Sequence, residues 1–155
     1  MPASFIILPK RNLIYLRITG FARVQDSLDG MHALSQHPLM RPTMNHIADY
    51  SGVTDFERNY VRIFSLQAQI AAEVVDHATE FMLAQYVQTP LQCEMAGMVV
   101  KSWEGVSSVV PRVFDDGAEM LRILGQPERD MTVFRRAAER EGERASFDVQ
   151  NTGSR

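Results

Sequence analysis

The chain has 155 residues, 45% of them hydrophobic and 23% charged, with a formal net charge of −3. That length holds one domain with a proper core, and the mild acidity gives no electrostatic reason to bind DNA, RNA or an anionic membrane. One cysteine, Cys93, cannot form an internal disulfide, and no apolar run approaches the ~18 residues of a membrane span, so the sequence predicts a cytoplasmic chain without stable membrane insertion or a signal peptide.

Residues 4–8 read as a short apolar strand. Pro9-Lys10-Arg11-Asn12 supplies a turn, since Asn takes a left-handed conformation at small cost. Residues 13–19 alternate, with Leu13, Tyr15 and Arg17 on one face and Ile14, Leu16 and Ile18 on the other. The two runs predict an antiparallel hairpin, ended by Gly20. Val24, Leu28, Met31 and Leu34 fall at helical spacing and predict a helix over 24–36, without a strong N-cap. Pro38 and Pro42 enclose its exit loop. Residues 44–50 are a third strand and Ser51-Gly52 turns the chain. Thr54-x-x-Glu57 has the form of a capping box, with Asp55 the alternative cap. It opens a helix to about Val75, with Tyr60, Phe64, Ala68, Ala71 and Val75 on one face, widened by Val61 and Ile63.

The nearly continuous apolar run 81–87 suits a central strand covered on both faces. Thr89-Pro90-Leu91-Gln92 then starts a helix, with Thr89 as N-cap, Pro90 at the first helical position and Gln92 closing the box. That helix carries Leu91, Met95, Met98, Val99, Trp103 and Val106. Residues 109–114 are a fifth strand, placed at an edge by Pro111. Asp116-x-x-Glu119 opens another helix, with Leu121 and Leu124 inward, stopped by Gly125 and Pro127. The order β-β-α-β-α-β-α-β-α predicts an α/β domain over residues 1–125, a mixed, mostly parallel five-stranded sheet with helices packed on it. Residues 126–155 read as a charged C-terminal tail. Within it, 131–144 form a short helix with Val133, Phe134, Ala137 and Ala138 on one side, and the sequence from Ala145 reads as disordered.

The run Ala48-Asp49-Tyr50-Ser51-Gly52-Val53-Thr54 resembles the strand ending in D-x-S-x-V-T of the STAS-domain family, the fold of bacterial anti-sigma-factor antagonists. The stretch from Arg112-Val113-Phe114-Asp115-Asp116 to Leu124-Gly125 resembles that family's last strand and helix, and Gly20 after the second strand fits as well. The likeness spans about residues 4–125 and is closer to the small single-domain SpoIIAA-like proteins. It implies a binding or regulatory module rather than an enzyme. Antagonists of the family carry an Asp-Ser pair, its Ser phosphorylated by a partner kinase, where the helix begins. Here Asp55 stands near that place, within Thr54-Asp55-Phe56-Glu57-Arg58, and no Ser follows. The resemblance therefore stops short of the phosphorylated serine.

Two clusters are candidate sites. Asp49, Tyr50, Ser51, Thr54, Asp55 and Arg58 gather where the third strand gives way to a helix, the usual place for ligands and partners in an α/β domain. They form either a recognition surface, including an anion site at the helix N-terminus, or plain turn and cap chemistry. Thr89, Gln92 and Cys93 sit at the end of the fourth strand. A cysteine near a helix start is either activated or a small buried apolar residue. His32, His37, His46 and His77 match no catalytic signature, no metal-ligand spacing occurs, and no glycine-rich phosphate loop is present, so no cofactor is expected. The leading expectation is a non-catalytic module meeting a protein partner through the 49–58 junction. The alternative is a carrier or sensor of a small apolar molecule or lipid, held between the sheet and the helices over 56–75 and 91–106. A Cys93-dependent enzyme ranks below both, and a homodimer is the assembly expected on base rates.

Overall fold

A computed structural model describes residues 3–74 and 79–145. β1 (Ala3–Leu8) and β2 (Leu13–Ala22) form the expected hairpin, in register from Ala3 opposite Ile18 to Leu8 opposite Leu13. A 3-10 turn, Pro9–Arg11, joins them, and Asn12 closes it in the left-handed region at φ 51°. There follow α1 (Val24–Ser35), β3 (Asn45–Phe56), α2 (Tyr60–Val74), β4 (Phe81–Tyr86), α3 (Pro90–Ser102), β5 (Val109–Phe114), α4 (Gly117–Ile123), α5 (Met131–Glu141) and β6 (Glu143–Arg144).

The sheet order is β5-β4-β3-β2-β1-β6. β2, β3, β4 and β5 pair in parallel, and β1 is antiparallel to both β2 and β6. The domain is thus a mixed, mostly parallel α/β sheet, with a sixth, two-residue strand beyond the five expected. Pro111 sits on edge strand β5, where its missing N–H costs no ladder bond.

Helices cover both faces because the inner strands are apolar on both. Ile14 and Ile18 of β2 join a core with Met31 and Leu34 of α1, Ile63 of α2 and Met95 and Ala96 of α3. Leu13 and Tyr15, pointing the other way, join Met120 and Leu121 of α4 and Phe134 and Ala138 of α5. α1 lies so close to β1 that a Cβ at Gly30 would overlap the buried Phe5 ring. Gly30→Ala should therefore destabilise the fold by roughly 1–2 kcal/mol in urea denaturation, overpacking outweighing the better helix propensity of Ala.

α5 corrects the reading of 126–155 as a tail. Met131, Phe134, Ala137 and Ala138 are buried, and of the helix's charged residues Arg135 also turns inward, to the buried Asp49. Arg11 fastens it, holding Glu128 with two bonds of 2.6 and 2.9 Å and Glu141 with one of 2.9 Å. Ala145 donates its N–H to the Phe5 carbonyl at 2.9 Å. Residues 146–155, with the disorder expected there, lie outside the described residues, as do Val75 and His77.

The middle of the chain departs further from expectation. Ser51-Gly52 does not turn the chain, and β3 runs on to Phe56. Its register against β2 shifts twice: Arg17 faces Asp49 but Thr19 faces Gly52, and Gly20 faces Val53 but Phe21 faces Asp55. Each shift is a bulge with one extra residue on β3. Inward positions therefore run 46, 48, 50, then 53 and 56, which brings Val53 and Phe56 into the core in place of Gly52 and Thr54. A Cβ at Gly52 would press on the Thr19 methyl at 2.7 Å, so the bulge needs glycine for close approach. α2 starts only at Tyr60, with Asn59 accepting the Arg62 N–H at 3.1 Å. Glu57 closes no capping box: its Oε2 accepts the Val24 N–H at 3.0 Å and so caps α1, which has no side-chain cap of its own.

Candidate functional site

The bulged end of β3 brings the first cluster together, but mostly to hold the fold. Asp49 is fully buried. Its Oδ1 accepts the Ser51 N–H at 3.0 Å and the Ser51 hydroxyl at 2.6 Å. Its Oδ2 accepts the Tyr15 hydroxyl at 2.5 Å and Arg135 Nε at 2.8 Å. Arg135 Nη2 reaches the Ser51 hydroxyl at 2.8 Å. Burial acts to raise the Asp49 pKa, but the bonds from Arg135, Ser51 and Tyr15 outweigh it and hold the carboxyl below its usual range. Tyr15 is pushed the other way, by burial first and then by the Asp49 charge. Asp49 and Ser51 therefore anchor α5, and both carboxylate oxygens of Asp49 are engaged within the fold. The anion site expected at a helix start here has no helix start to form it.

The rest of this cluster divides. Thr54 is exposed. Asp55 takes Arg58 Nη1 at 2.8 Å and the Phe56 N–H at 2.9 Å, and the Arg58 bond lowers its pKa first. Arg58 lies 4.2 Å over the Phe56 ring and 3.5 Å from Glu94. Tyr50 points to the opposite face of the sheet, where it is buried.

In the second cluster Thr89 and Gln92 form the predicted capping box. Gln92 does more: its Nε2 donates to the Ser51 and Val53 carbonyls, both at 3.1 Å, and so satisfies the bulge from 39 and 41 residues away. Cys93 is exposed on α3, neither buried under the sheet nor bonded to Thr89 beyond the helical backbone.

The alternative drawn from the sequence put an apolar ligand between the sheet and the helices over 56–75 and 91–106, but it did not name His46 and Trp103 as the wall with the most unused chemistry. Between the sheet and α1, α2 and α3 lies a cavity of about 90 Å³. β3 contributes His46 and Tyr50 to its wall, with the small Ala48 between them leaving the room. Trp103, at the end of α3, closes another side. His46 is 5% exposed and stacks on Phe81, centroids 4.6 Å apart at 21°. Among the described residues neither the His46 ring nor the Tyr50 hydroxyl has a hydrogen-bond partner, and Trp103 Nε1 is buried without one. Burial alone lowers the His46 pKa to about 4 and raises that of Tyr50. Both are therefore neutral at physiological pH. The signal for this wall was present as His46 and Tyr50 on one face of a buried strand, flanking alanine.

Among the described residues no three His, Cys, Asp or Glu side chains are grouped to hold a metal, and no helix is long and apolar enough to cross a membrane. Comparison with protein-family models, with curated proteins and with solved structures finds no match.

Proposed function

We propose that the chain is a non-catalytic binding module that holds a small, largely apolar molecule between the sheet and α1, α2 and α3. One observation carries this reading: the indole Nε1–H of Trp103, buried without a partner, borders one cavity together with the His46 ring and the Tyr50 hydroxyl, for which no hydrogen bond is made among the described residues. A buried donor or acceptor left unmade costs about 1–3 kcal/mol, and folded proteins keep few of them. Trp103 Nε1 is such a group, and with the unpaired His46 ring and Tyr50 hydroxyl on the same hollow it is suited to an occupant.

Trp103 is the sole tryptophan, so its emission reports on the cavity. Native mass spectrometry of the protein from its own cells should show extra mass that vanishes on denaturation, and ethylbenzene should shift the Trp103 emission of the stripped protein. A bare chain whose emission ignores ethylbenzene sinks the reading.

The STAS-like resemblance supports a second reading, docking of a protein partner around Thr54, Asp55 and Arg58. In its favour, Phe21, Tyr60, Val61 and Phe64 lie exposed on the neighbouring β2 and α2, and aromatic residues with arginine are common at such surfaces. It is the reading left standing if the cavity proves empty.

A further inference from the structure

We infer that the molecule held in the cavity is electrically neutral and offers an oxygen acceptor to Tyr50 and Trp103: a single-ring ketone, ester, amide or alcohol, rather than a carboxylate, an amine or a bare hydrocarbon. This rests on the cavity reading above and adds the ligand's chemistry to it.

Charge is the first constraint. Among the described residues no Lys, Arg, Asp or Glu borders the cavity, and the base among them, His46, is held neutral by burial. An ionised ligand would lie there unpaired, at a prohibitive desolvation cost. The nearest charged lining, Arg23 and Glu57, belongs to a second hollow of about 60 Å³. That hollow shares Ser27, Gln67, Met95 and Val99 with the first, so these four form the divide.

Donor balance is the second. Indole Nε1–H only donates, a phenol hydroxyl donates readily, and a neutral imidazole brings one donor and one acceptor. Of the polar lining, Ser27 and Gln67 are half-exposed and within reach of water, whereas Trp103 Nε1 is buried and can only donate. An oxygen acceptor on the ligand would satisfy it, with the Tyr50 hydroxyl able to donate as well. Shape is the third. Three rings, His46, Phe81 and Trp103, belong to the lining, the first two stacked on each other. The volume of about 90 Å³, below the ~150 Å³ of an engineered apolar cavity that takes benzene, holds the ligand to one ring at most.

Acetophenone, ethylbenzene and benzoate are close in size and differ in the property at issue. Binding of each to the full chain would be followed by Trp103 emission and by calorimetry at pH 7.5. Acetophenone and ethylbenzene should bind and benzoate should not. Tyr50→Phe keeps the ring and removes only an unpartnered hydroxyl, so it should fold normally. It should weaken acetophenone about tenfold, the worth of one good hydrogen bond, and leave ethylbenzene within about twofold. Trp103→Phe, read by calorimetry, should do the same. If ethylbenzene binds but both variants leave acetophenone unchanged, the acceptor inference is overturned while the cavity reading stands. Benzoate binding as well as acetophenone would overturn neutrality. No binding of either neutral probe would take down the cavity reading and this inference together.

Discussion

Arg135→Ala will destabilise the domain by about 3 kcal/mol at neutral pH, near the low end of the range for removing one member of a buried ion pair. The low end is expected because Arg135 keeps 23% of its side-chain exposure while Asp49 has none. The loss comes less from the missing attraction than from a carboxylate left in the core without its cation. Adding Asp49→Asn should restore a large share of it, because a neutral amide needs no counter-charge, and a double-mutant cycle in urea will read the coupling. The pH dependence has a definite sign. Asp49 is held below the 3.8 of an ordinary aspartate, so its share of stability is present above that value and lost as pH falls through the lower folded one. The gap between wild type and Arg135→Ala should accordingly narrow in acid. A gap under about 1 kcal/mol at pH 7 would mean that Asp49 does not depend on Arg135.

His46 sets the second large effect. Its pKa falls from 6.5 when unfolded to about 4 when buried. Above pH 6.5 the ring is neutral in both states and adds no penalty. As pH falls from there toward 4, the unfolded chain takes up a proton that the native one refuses, at a total cost of about 3 kcal/mol. His46→Leu, similar in size and unable to titrate, should remove this slope. Carboxylates near pH 4 titrate in both proteins, so the quantity to follow is the difference in urea midpoint between wild type and variant from pH 7.5 to 4. A constant difference would show that His46 is hydrated in the fold.

Local chemistry made much of the fold legible. Pro9 to Asn12 encodes a turn whatever surrounds it, and the Thr89 to Gln92 box is complete within four residues. What failed was long-range. Ser51-Gly52 has turn composition, yet the bulge there is held by Gln92, and its glycine is required by Thr19 on the neighbouring strand. Thr54-x-x-Glu57 has capping-box spacing, but Glu57 caps a helix that begins 33 residues earlier. α5 read as part of a charged tail because its apolar stripe is narrow, four buried residues among arginines and glutamates. The site divided in the same way: Asp49 was visible as a special residue, but its use as a structural anchor depends on Arg135, 86 residues on. Nothing local to Trp103 said that it would face His46 and Tyr50.

The placement of α5 also bears on how the protein is made. β1 and β2 leave the ribosome well before α5, yet one of their faces is covered by Phe134 and Ala138 of that helix. Arg11 waits for Glu128 and Glu141, and Asp49 waits for Arg135. Contacts of such sequence separation form slowly. During synthesis the sheet therefore has its α1–α3 side assembled while the other side stays bare and sticky, and a carboxylate there still prefers water. Closure waits until α5 has emerged, and the interval before it is when the nascent chain is most in need of chaperones.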